Sequence, residues 1–151
     1  MTTSWVALSP EYWSRLGHGA SAVVLYAIVG LVLMIVGFYA IDLTTPGELR
    51  KMVNAGKPNA IIVTAAGMVS MALIVVLAIY SSSGRLVEGL IASAVFGLVG
   101  IAAQVGMMRI ATLIMGIDMY RLFHADEFSY ESRMVAAAQV ASGLVVAVAI
   151  L

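Results

Sequence analysis

Four stretches dominated by apolar side chains, 20–41, 60–80, 86–117 and 134–151, set what this chain can fold into. A helix needs about 20 apolar residues to cross a hydrocarbon layer ~30 Å thick, and each stretch reaches or approaches that length. Of the 151 residues 62% are hydrophobic and 11% charged, with mean hydropathy +1.05. A water-soluble domain of this size has too little interior to hide so much apolar surface. The expectation is therefore an all-α membrane protein with four transmembrane helices.

The polar connections carry local signals of their own. Thr45-Pro46-Gly47-Glu48 has the form of a capping box with proline at the first helical position, and it predicts a short loop helix over 46–54. Asn54-Ala55-Gly56 ends that helix, and Lys57-Pro58-Asn59 begins the second span with Asn59 as its cap. Ser81-Ser82-Ser83-Gly84 makes a polar turn over 81–85, and Ser129 is the candidate cap of the fourth span. Ahead of the first span, Ser9-Pro10-Glu11 starts a short helix whose neighbours Trp5, Tyr12 and Trp13 suit the headgroup layer. Gly17-His18-Gly19 separates it from the span, so 1–19 reads as an N-terminal interfacial segment. It lacks the basic start of a signal peptide, and the apolar run behind it is long enough to stay in the membrane.

The chain matches itself. A shift of 76 places Gly30 on Gly106 and Ile41-Asp42 on Ile117-Asp118; a shift of 71 aligns 65–80 with 136–151 at seven of sixteen positions. Both alignments keep the same order, which points to a duplication of a two-span unit, 20–80 and 86–151. Two spans per unit bring each copy in from the same side, so the repeats are parallel. Arg50, Lys51, Lys57, Arg121 and Arg133 lie in the connections after spans one and three, against Arg15 and Arg85 on the other side. The positive-inside bias then puts loops 42–58 and 118–133 in the cytoplasm and both termini outside.

A span closed by Asp42-Leu43-Thr44-Thr45-Pro46-Gly47-Glu48, the Asn59-Ala60 start of the next, and a second half marked by Asp118, Ala136-Ala137-Ala138 and Ser142-Gly143-Leu144 resemble the bacterial family called domain of unknown function 350. The likeness covers nearly everything after residue 20. In the second half Ser129-Tyr130-Glu131-Ser132 replaces the asparagine start that the family tends to repeat. The resemblance implies a small four-span protein of the bacterial inner membrane, and it implies no activity.

Few polar residues remain as candidates for function. Asp42 and Asp118 close spans one and three, where the helix dipole disfavours a carboxylate by ~0.3–1 kcal/mol. Each is expected to dock on the helix that follows or on a loop cation, either as an interfacial stop or as part of a protonatable, ion-binding pair. Arg109 stands between the uncharged stretches 90–108 and 110–117, and its repeat equivalent is Leu33. A charge there costs ~2.5–3.5 kcal/mol even on a lenient scale. The side chain snorkels toward the level of Asp118, pairs with Asp42, Glu131 or a partner subunit, or holds a substrate or lipid headgroup. Gln104 and Gln139 read as glue between helices, and Ala66/Ser70, Ser93/Gly97, Ala102/Gly106, Ala137/Ala141 and Gly143/Ala147 as small-residue packing pairs.

Other chemistries find little footing. Eight basic residues balance eight acidic ones and give nucleic acid no attractive face. The absence of cysteine removes thiol catalysis and thiolate metal ligands. His124-Ala125-Asp126-Glu127 is too short a cluster to define a metal centre, and no nucleophile–base pair or cofactor motif stands out. The sequence thus suggests a non-catalytic structural or interaction subunit of a membrane assembly, surrounded by lipids and joined to copies of itself or to another membrane protein. A small ion, proton or solute channel formed by an oligomer is the alternative. A lipid-handling or enzymatic subunit is the third reading.

Overall fold

The computed structural model describes residues 10–45, 47–82 and 85–151, with side chains from residue 12 onward in the first segment. Trp5 and Ser9, Pro46 and the Ser83-Gly84 turn, all used above, lie outside the described residues. The elements are α1 (Pro10–Thr44), α2 (Leu49–Asn54), α3 (Pro58–Ser81), α4 (Leu86–Met115), α5 (Met119–His124) and α6 (Tyr130–Ala149). The protein is all-α, and α1, α3, α4 and α6 are long and apolar enough to cross a membrane. A long, a six-residue and a long helix follow one another twice.

The segment expected to form a separate N-terminal helix is continuous with the first span. α1 has 35 residues, about 52 Å at 1.5 Å per residue, well beyond the ~30 Å hydrocarbon core. Gly17 and Gly19 do not break it because neighbouring side chains tie the turns together: His18 Nδ1 bonds to Ser14 O at 2.8 Å, and Ser21 Oγ donates to His18 O at 2.9 Å.

The expected capping box does not form. Thr45 Oγ1 donates back to Ile41 O at 2.7 Å, which spends the hydroxyl on the end of α1. Glu48 becomes the N-cap of α2 without a side-chain cap bond and pairs with Lys51 at 2.6 Å instead. In the second half Gly116, at φ +67°, stops α4 in the left-handed conformation that glycine adopts without a Cβ clash. The short helix α5 behind it has no counterpart among the sequence expectations.

Helices in lipid gain little from apolar burial against one another, so close backbone packing has to hold the bundle. The central pair is α3 and α6, which make the most extensive contact in the protein. Gly143 permits it: a Cβ there would sit 2.5 Å from Ser70 Cβ and 2.9 Å from Ser70 Cα. Ser70 Oγ donates to Gln139 O at 2.6 Å across the same seam. α1 and α4 flank this pair and touch each other where Leu33 packs against Gly97. Met71, Ile74, Ala78 and Val135 are fully buried between the helices. Leu31, Val32, Val76, Ile91, Val99 and Val148 face outward, as a lipid-facing surface requires.

Candidate functional site

Two polar assemblies form at the end of the bundle that carries α2 and α5. The first is a seam between the two halves, centred on Asn59. Asn59 is fully buried. Its Nδ2 donates to Leu122 O at 3.2 Å and to Glu127 O at 2.9 Å, while its Oδ1 accepts from Ser129 N at 2.9 Å. The expectation that Asn59 caps its own helix is therefore wrong: Lys57 is the N-cap of α3, and the Asn59 amide serves the backbone of the other half. Polar backbone groups buried without partners are costly, and one side chain satisfies three of them here.

Ser129 caps α6 as expected, accepting from Glu131 N at 3.2 Å. Glu131 itself is exposed in the first turn of α6. Beside the seam, Lys57 Nζ donates to His124 O at 3.3 Å and forms an ion pair with Asp126. The hydrogen bond from Lys57 Nζ to the Asp126 carboxylate, reinforced by the lysine charge, lowers the Asp126 pKa from its ordinary value of 3.8. Among the described residues no three His, Asp or Glu side chains converge as metal ligands would.

The second assembly is a cleft of about 490 Å³, within the ~300–1,000 Å³ range of small-ligand sites. The end of α1 (Ile41, Thr44) with Thr45 just beyond it forms one wall and α4 from Gln104 to Leu113 the other; Val63 and Met71 of α3 and Gln139 of α6 form the floor. Asp118, Met119 and Tyr120 border the loop end. The cleft exists because α4 loses its packing there: between Gln104 and Leu122 no residue is buried. Arg109 falls within that open portion and lines the cleft. Among the described residues no carboxylate lies within ion-pair distance of it, so the proposed pairing with Asp42 or Glu131 does not occur within one chain.

Asp118 is the N-cap of α5; its Oδ1 accepts from Tyr120 N at 3.0 Å and Arg121 N at 3.2 Å. Asp42 Oδ1 accepts from Arg50 N, in the first turn of α2, at 3.3 Å. Each carboxylate thus meets a helix N-terminus, as expected, but that of the short helix and not of the next span. Asp118 borders the cleft, whereas Asp42 is not part of its lining. Thr44, Thr45 and Thr112 line it too, yet their hydroxyl protons go to backbone carbonyls, at 2.8 Å to Ala40 O, 2.7 Å to Ile41 O and 3.0 Å to Met108 O. The Arg109 guanidinium is the one cationic donor among the residues that line this space.

At the inner end Gln104 is fully buried, and its Nε2 donates to Gln139 O at 2.9 Å; its Oε1 has no donor partner. Gln104 and Gln139 do join helices, and they also close the cleft, a role that reading them as packing glue missed. Their signal in the sequence was an amide inside each of the last two apolar runs.

The small-residue candidates separate by position. Ser70, Ser93 and Gly97 are buried at helix contacts and Ala66 is half-buried, whereas Ala137 and Ala141 face outward.

The family model described as Domain of Unknown Function (DUF350) matches residues 15–151. A UPF0719 transmembrane protein of Mycolicibacterium paratuberculosis is 38% identical over 107 residues, covering 70% of this chain and 68% of that protein. UPF0719 transmembrane proteins of Mycobacterium bovis and Mycobacterium tuberculosis are each 44% identical over 81 residues, 53% of either chain. No solved structure matches. Four membrane-spanning helices and a family match from residue 15 to the last residue lead to one conclusion: the chain belongs to the DUF350 family of transmembrane proteins.

Proposed function

We propose that the protein is a non-catalytic structural or interaction subunit of a bacterial inner-membrane assembly, and that it works as an oligomer with its termini outside and its α2 and α5 connections in the cytoplasm. Uneven packing of the spans carries this reading. Within their most apolar windows 44% of α3 and of α6 is buried, against 28% of α4 and 11% of α1. On the outward side of α4, Ala102, Ala103 and Gly106 are exposed, and a Cβ added at Gly106 would meet nothing within 4 Å. Such a surface lets another helix approach closely. The native mass of the complex in mild detergent tests the proposal. A defined multiple of one chain, reduced to a single chain by Gly106→Leu, is the expected result; a single chain from the outset removes it.

A second reading, an ion or solute pathway formed by the oligomer, has one observation in its favour: Arg109 and Asp118 share a cleft that reaches from the loop end to Gln104. Flux in proteoliposomes that survives Arg109→Leu and Asp118→Asn unchanged removes that reading.

A further inference from the structure

We propose that the cleft between α1 and α4 is a seat for one phospholipid bearing a primary ammonium beyond its phosphate, with Arg109 binding the phosphate and Asp118 the ammonium. The inference stands apart from the oligomer, because every group it uses belongs to one chain.

Shape comes first. With α1 and α4 as walls, α3 and α6 as floor and α5 at one end, the cleft keeps Arg109 and Leu113 of its lining exposed on the surface of a membrane-spanning helix, where acyl chains lie. Val63, Met71, Val105, Met108 and Leu113 offer an acyl chain an apolar surface.

Charge decides the headgroup. Arg109 lies six residues before the end of α4, about 9 Å of helix rise below it, and its long stem can carry the guanidinium toward the interface. Asp118 lies beyond that end, at the loop level. Moving outward from the membrane centre, the cleft therefore presents a cation and then an anion. A phosphoethanolamine headgroup presents its charges in the complementary order, phosphate next to the glycerol and ammonium farther out. Neither protein charge has an ion-pair partner among the described residues. Planar guanidinium donors suit a phosphate, and the ammonium protons suit a carboxylate. A choline headgroup lacks those protons, and a glycerol headgroup lacks the positive charge.

The test is lipid retention by the full chain, purified in mild detergent and offered equal amounts of palmitoyl-oleoyl phosphatidylethanolamine, phosphatidylglycerol and phosphatidylcholine, read by native mass spectrometry. The ethanolamine lipid is expected to be retained about tenfold over the other two. Arg109→Leu should abolish retention of all three. Asp118→Asn keeps an N-cap for α5, so it should leave phospholipid binding in place while erasing the preference for ethanolamine over choline. Equal retention of the three lipids by the unaltered protein overturns the proposal, as does ethanolamine-lipid retention that Arg109→Leu leaves unchanged. A complex whose mass, but not lipid content, changes with Arg109→Leu overturns it in favour of a second copy filling the cleft.

Discussion

Asn59 shows how much of this fold can hang on a single amide. Three hydrogen bonds run from this fully buried side chain to Leu122, Glu127 and Ser129, all in the other half of the chain. Asn59→Ala strands a buried N–H and two carbonyls, and should cost about 1–3 kcal/mol, measurable by SDS-driven unfolding in mixed micelles. Asp126 is the opposite case, an exposed carboxylate tied to Lys57. Its folded pKa lies below the ordinary 3.8, so the pair stabilises the fold above the unfolded carboxylate pKa and loses that contribution as pH falls through the folded value. An NMR titration should find Asp126 ionising below 3.8, and Lys57→Met should move it upward. Asn59 was legible as a polar residue at a span start, but its partners were not, since they lie 63 to 70 residues away in sequence.

Among the elements, α3 and α6 form the seam on which the rest is laid. Their separation is set at Gly143, whose missing Cβ makes room for Ser70. Gly143→Ala should push the helices apart and destabilise the protein by about 1–3 kcal/mol. Ala141→Leu, on the exposed face of the same helix, should stay within about 0.5 kcal/mol; thermal unfolding of both variants in one detergent makes the comparison. Four-residue spacing flagged Ala137/Ala141 and Gly143/Ala147 alike, because periodicity says which residues share a face but not which face meets a neighbour. The short helices divide similarly. The loop helix after α1 was readable, although its cap was misassigned, while α5 was hidden in a mixed-polarity stretch of six residues.

For the whole molecule, Asn59 near Ser129 puts the N-terminal ends of α3 and α6 together, and the shared cleft does the same for the C-terminal ends of α1 and α4. The bundle therefore has one end with both short helices and one where α3 ends and α4 begins. The chain contains no cysteine, so single cysteines can report which end faces the cytoplasm. Ala55→Cys is expected to react with an impermeant maleimide only after the membrane is opened, and Arg85→Cys in intact cells. The reverse pattern would invert the assigned orientation.

The sequence alone determined the environment, the number of spans and, to within about a turn, where each span stops, though not where the first one starts, because hydrophobic length and turn chemistry are local properties that no neighbour has to supply. It also marked Arg109 and the two aspartates as residues needing an explanation. Only the tertiary structure decided that α3 and α6 form the centre, that Asn59 serves the opposite half, and that Arg109 and Asp118 border one cleft while Asp42 does not. The reason is physical. In lipid the outward face of a helix is as apolar as most of its inward face, so composition leaves the packing face open and backbone approach at a few small residues settles it.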